Sequence, residues 1–130
     1  MDGFRTPLGR ARGLGSAKDG VGRFISERVT SVALVFLVIW GVRSALELSR
    51  TGYAGAVHWL GLPVNAALMV LLAVAGFLHM QTGMAVIVED YIEKPTTKAA
   101  LLLLNAFVCW GGLALTVVCL LKVALSVGGA

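Results

Sequence analysis

Three long apolar stretches decide what this chain can become. Residues 64–88 run for 25 positions without an Asp, Glu, Lys or Arg, and residues 99–121 are free of charge as well. Residues 29–42, VTSVALVFLVIWGV, form a third such run. With Ser26 as its N-cap and Arg43 snorkelling near its far end, a helix continued to residue 49 is ~36 Å long at ~1.5 Å per residue. A bilayer core of roughly 30 Å needs about 20 apolar residues per spanning helix. The pattern therefore predicts an all-α membrane protein with three transmembrane helices, over about 29–49, 64–88 and 99–122.

Composition agrees. The chain has 130 residues, 58% hydrophobic and 14% charged, with mean hydropathy +0.86. Soluble domains average roughly 25% charged residues. The length suits one domain and excludes a multidomain enzyme, and the apolar fraction excludes a disordered chain. The net charge of +4 is concentrated near the N-terminus, not spread over a nucleic-acid face.

Residues 1–28 are expected to be a polar, glycine-rich arm carrying Arg5, Arg10, Arg12, Lys18, Arg23 and Arg28. The arm contains no signal-peptide core and is expected to be retained, either mobile or docked on a partner. Residues 29–130 are then the membrane domain. The connector 50–63 is broken by Gly52, Gly55, Gly61 and Pro63, with room for a short interfacial helix. Its Tyr53 and Trp59 suit an aromatic belt. Pro95 is expected to stop the second helix soon after residue 91. Eight basic residues lie on the side of the arm and the second loop, against Arg43, Arg50 and Lys122 opposite. The positive-inside rule then puts the N-terminus inside and the C-terminus outside. Cys109 and Cys119 are about 15 Å apart along one helix, too far for a disulfide, and read as small buried hydrophobes.

His79 is the one ionisable group well inside a span. Such groups are costly in lipid and often mark sites. It reads either as a metal or haem ligand or as a histidine hydrogen-bonded to a neighbouring helix. Gly76 and Gly83 flank it within about 60° around the helix, so a flat macrocycle could lie there, or another helix could pack there. Asp90 returns to within about 20° of the same face, ~16 Å further along, with Tyr91 beside it. A tyrosine hydroxyl can donate to a carbonyl ligand, and a carboxylate can hold a partner's cation. Glu89 and Glu93 read as a solvated helix end, and His58 as a solvated loop histidine. With a single histidine in the membrane, a bis-histidine haem needs a second chain, which predicts an obligate hetero-oligomer.

The stretch His79-Met-Gln-Thr-Gly83-Met-Ala-Val-Ile-Val-Glu-Asp90-Tyr91 resembles the hydrophobic membrane anchor of succinate dehydrogenase, the smaller of the two cytochrome b anchors of respiratory complex II. Its specific part is the spacing His-x3-Gly-x6-Asp-Tyr. Leu14-Gly-Ser-Ala-Lys-Asp-Gly20 and Glu27-Arg28-Val-Thr-Ser-Val-Ala-Leu resemble the entry to the first span of the same family, particularly its bacterial members. The third span matches by hydropathy only.

The resemblance implies a three-helix subunit packed with a second anchor into a bundle that binds haem b, in a bacterial inner membrane rather than a mitochondrial one. His79 would be an axial ligand, with Gly76 and Gly83 against the haem. Tyr91 would hydrogen-bond a carbonyl of ubiquinone. Asp90 would orient that pocket through an arginine of the other anchor. Arg28 would stand near the haem propionates and the quinone. The remaining partners implied are an iron–sulfur subunit and a flavoprotein. The chain would be inert alone, since it shows no dicarboxylate site and no flavin or cluster motif. Two rivals stand beside this reading: a fumarate reductase anchor, and a cofactor-free membrane adaptor or transport subunit with His79 as a packing residue.

Overall fold

A computed structural model describes residue 8 and residues 19–127. Among the described residues there are four helices and no strand: α1 (Asp19–Leu48), α2 (Gly52–Gly61), α3 (Pro63–Tyr91) and α4 (Pro95–Val127). The three long ones are each long and apolar enough to cross a membrane. Arg5, Arg10, Arg12 and Lys18, residues 14–18 of the family-like motif, and the final residues 128–130 lie outside the described residues.

The first helix differs from expectation at its start. It begins at Asp19 and not beside residue 29, so Ser26 lies inside it and is not its N-cap. Residues 19–28 contain no proline, and an established helix propagates at little cost once nucleated. Inside the helix Ser26 serves as an acceptor: its carbonyl takes the Thr30 hydroxyl at 2.8 Å. At 30 residues, α1 is ~45 Å long and exceeds the hydrocarbon thickness.

The corners follow from local chemistry. Gly52 opens α2 at φ 66°, in the left-handed region that glycine enters without strain. α2 is the short connector helix, and Leu62 alone separates it from α3. Leu62 is extended (φ −71°, ψ 124°), as the residue before Pro63 must be, and Pro63 occupies the first turn of α3. Pro95 acts on the other side of its turn from the one expected. α3 has already ended at Tyr91, and Pro95 is the first residue of α4.

α3 is the centre of the fold. α1 and α4 both pack on it and make no contact with each other, while α2 touches all three long helices. Trp59 of α2 stacks on Trp40 of α1, with ring centroids 5.6 Å apart. Asn65 Nδ2 donates to the Trp59 carbonyl at 2.9 Å, which fastens α2 to the start of α3. Close approach is made at two glycines. A Cβ on Gly41 would lie 3.3 Å from Leu72 Cδ2, and one on Gly112 would lie 2.7 Å from Phe77 Cε1. Small residues at such points let helix backbones meet where lipid supplies no hydrophobic drive for association.

Little of the chain is buried. The buried apolar side chains among the described residues are Leu37, Ala75, Val88 and Cys109. Phe36 and Phe107 remain 70% and 76% exposed. Lipid or partner helices must cover these surfaces. Cys109 and Cys119 are both free; Cys109 is buried as expected, but Cys119 is exposed, contrary to expectation.

The Gly112 contact gives a test. Gly112→Val should destabilise the α3–α4 pair by about 1–3 kcal/mol through overpacking against Phe77. Adding Phe77→Ala should recover part of that loss. Thermal melts of the detergent-solubilised protein measure both.

Candidate functional site

His79 lies halfway along α3 on the side facing α1. Thr30 of α1, only 8% exposed, puts its Oγ1 3.2 Å from His79 Nδ1. The same Oγ1 donates within its own helix, to the carbonyls of Ser26 at 2.8 Å and Glu27 at 3.1 Å. No described residue makes a hydrogen bond to Nε2 of His79. The ring is half-buried. Imidazole ligand and interhelical hydrogen bond, the two sequence readings of His79, are thus compatible, since one ring nitrogen meets Thr30 and the other stays available.

The glycines beside it differ from those at the helix contacts. A Cβ on Gly76 or on Gly83 would meet nothing within 4 Å. Neither glycine is spent on packing among the described residues, so the interhelical reading falls away as far as α1, α2 and α4 are concerned. Going round α3 at ~100° per residue, Gly83 and Gly76 follow His79 at about 40° and 60°, then Ile87 at about 80° and Met80 at about 100°. Met80 and Ile87 are exposed, 41% and 51%. His79 therefore stands at the edge of an open strip of α3 whose middle carries no side chains. A flat ligand can approach the backbone there.

The C-terminal end of α3 carries Asp90 and Tyr91. Both are exposed, Tyr91 at 79%. They are eleven and twelve residues from His79, ~16–18 Å along the axis, so this chain does not bring them into contact with the ring. Arg28 is not beside His79 either. It is exposed on α1, two residues before Thr30 and thus about 200° round the helix, with its guanidinium 5.1 Å from the Phe24 ring centroid.

Glu89 is more than a solvated helix end. Arg23 Nη1 donates to both of its carboxylate oxygens at 2.9 Å, and Lys98 Nζ donates to its backbone carbonyl at 2.8 Å. Arg23, Gln81, Thr82, Glu89 and Asn105 line a cleft of about 370 Å³ between α1, α3 and α4. Sequence reasoning missed this clasp because it treated Arg23 as part of a separate arm. It missed Thr30 because a lone hydroxyl in an apolar run is unremarkable by composition. The signal was a seven-residue spacing: Arg23, Thr30, Leu37 and Ser44 recur on one stripe of α1, and the last three are its buried residues. His58, in the last turn of α2, is exposed as expected.

The Arg23 and Glu89 side chains are 36% and 41% exposed, so the pair is worth at most about 1 kcal/mol. Glu89→Gln should lower the melting temperature only slightly, and the exchanged pair Arg23→Glu with Glu89→Arg should restore it. Gly76→Leu should leave the melting temperature of the isolated chain close to the parent's, unlike Gly112→Val.

Comparison with known proteins shows the family to which the chain is similar. The family described as succinate dehydrogenase/fumarate reductase transmembrane subunit matches residues 3–126. A succinate dehydrogenase hydrophobic membrane anchor subunit from Paracoccus denitrificans is 30% identical over 127 residues, covering 94% of each chain. The subunit of the same name from Rickettsia bellii is 28% identical over 69% of this chain and 72% of its own. That from Rickettsia conorii is 26% identical over 82% of this chain and 85% of its own. No solved structure matches. The chain belongs to the succinate dehydrogenase/fumarate reductase transmembrane subunit family.

Proposed function

We propose that this member of the family is the smaller membrane anchor of a succinate:ubiquinone oxidoreductase and holds two things for the complex, a haem b and the quinone that accepts electrons. The observation that carries the reading is His79, an intramembrane imidazole with one nitrogen unengaged by any described residue, beside two glycines that no described helix packs against.

The residues present fit a haem. An axial ligand needs a neutral imidazole nitrogen with a free lone pair, and a porphyrin needs a face without side chains. His79 would be one ligand and a histidine of the second anchor the other, because no further histidine of this chain lies in a span. Gly76 and Gly83 would leave the macrocycle room beside the helix. Bound there, a b-type haem supplies a one-electron store within the membrane.

Quinone is the substrate, and its reduction takes up two electrons and two protons. The electrons come from succinate through a flavoprotein and an iron–sulfur subunit, both soluble partners. Tyr91 donates a hydrogen bond to a quinone carbonyl at the inner surface. Asp90, next to it, accepts from an arginine of the second anchor and so fixes the pocket wall. Both are exposed in this chain, as groups that meet a partner must be before assembly. Arg28 is a basic group at the same boundary, available to a partner on the side of α1 away from α3. The N-terminus lies inside and the C-terminus outside, in a bacterial inner membrane. The direction of the reaction, succinate oxidation or fumarate reduction, is set by the quinone's potential and not by this chain.

The test is the reduced-minus-oxidised spectrum of the purified complex. A b-type band is expected, and it should be lost in His79→Ala and reduced in Gly76→Leu and Gly83→Leu. A band of parental size in His79→Ala, or none in the parent complex, would favour a cofactor-free adaptor. Tyr91→Phe should lower quinone turnover about fivefold, the equivalent of one hydrogen bond of about 1 kcal/mol, and keep the band. Unchanged quinone kinetics would remove Tyr91 from the pocket.

A further inference from the structure

Thr30 does more than fill space between α1 and α3. A threonine hydroxyl has one proton and two lone pairs. Here the proton is directed at the carbonyls of Ser26 and Glu27, at 2.8 and 3.1 Å, the usual back-bond of a helical threonine. What remains for His79 Nδ1, 3.2 Å away, is a lone pair. A lone pair attracts an N–H, so Nδ1 carries the ring's proton. An imidazole that ligates iron is neutral and carries a single N–H. Nε2 therefore presents its lone pair. The opposite tautomer would require the Thr30 hydroxyl to leave the Ser26 and Glu27 carbonyls in order to donate to Nδ1. It would also leave an Nε2 proton with no acceptor among the described residues.

We infer that Thr30 is a positioning residue for the metal ligand: its hydroxyl, held by its own helix, fixes the tautomer and heading of His79 and raises the basicity of Nε2 toward iron. The inference rests on the haem reading above but concerns a residue that does not touch the haem. Metal-bound histidines commonly donate their second N–H to an acceptor, and losing that acceptor typically costs 10–100-fold in affinity. The acceptor here is 8% exposed, where competition from water is small and the bond counts for more than at a surface. A more basic ligand favours ferric over ferrous iron. Removing the acceptor shifts that balance toward the ferrous form.

The experiment uses the purified complex with Thr30→Val, Thr30→Ser and Ser31→Ala, read by haem content, the EPR spectrum of the ferric haem and a redox titration of the b-type band. Thr30→Val keeps the shape and removes the hydroxyl. It should bind haem less tightly and shift the ferric–ferrous equilibrium about tenfold, raising the midpoint by ~59 mV for one electron. Thr30→Ser should match the parent. Ser31→Ala deletes a similar back-bond, 2.7 Å to the Glu27 carbonyl, on the neighbouring residue. It should also match the parent, which separates the contact with His79 from a general loosening of α1. Loss of haem from assembled Thr30→Val complex, with retention in Thr30→Ser, supports the inference. A Thr30→Val complex with parental midpoint, EPR spectrum and haem content overturns it, as does a shift of equal size in Thr30→Ser or Ser31→Ala. His79→Ala in the same series tests the haem reading itself: if it keeps the band, that reading has failed, whatever Thr30→Val does.

Discussion

Lipid offers no hydrogen bond, and the arrangement around His79 follows from that constraint. A histidine in the middle of a span must find its partner in protein or in a ligand. α1 supplies one, the Thr30 oxygen, and that oxygen is in turn satisfied by its own helix. The polar chain is Ser26 carbonyl, Thr30 hydroxyl, imidazole. It ends at a nitrogen for which no described side chain provides a partner. The rest of the fold aligns the two helices so that this contact can form: Leu37 and Ser44 continue the same buried stripe of α1, and Ala75 is buried on α3 close to the ring.

Much of this was legible in the residues. Helix number and the two long apolar runs followed from charge-free length. The connector left room for a short interfacial helix, and α2 fills it, running through Gly55, which the sequence marked as a breaker. The special status of His79 needed only the cost of an ionisable group in lipid. Other features were hidden for physical reasons. Gly20 and Gly22 made residues 19–28 pass for a loose arm, although no proline stops α1 from reaching back to Asp19. Pro95 signals a boundary but not which of two helices it belongs to, and here it opens the second. Pairings between helices, Arg23 with Glu89 and Thr30 with His79, depend on relative rotation and depth, which single-helix periodicity does not contain.

The glycines illustrate the same limit. By sequence, Gly41, Gly76, Gly83 and the Gly111-Gly112 pair are alike: small residues inside apolar helices. In the fold they divide into two kinds. Gly41 and Gly112 are filled from outside by Leu72 and Phe77, and Gly76 and Gly83 face open space. The first pair holds this subunit together. The second is spare room in a chain that otherwise covers its helices with large side chains, and spare room beside an imidazole invites a ligand from outside the subunit.

The corner at Leu62 has a mechanical effect on this arrangement. With only one residue between α2 and α3, and a proline closing the joint, the surface helix and the central span cannot turn separately. The Trp40–Trp59 stack fastens that surface helix to α1. The central span is thus clocked at its N-terminal end by a ring-on-ring contact and halfway along by an imidazole meeting a hydroxyl. Two bearings on one shaft leave it little freedom to rotate, and the compass heading of the imidazole is inherited in part from an indole pair several turns away.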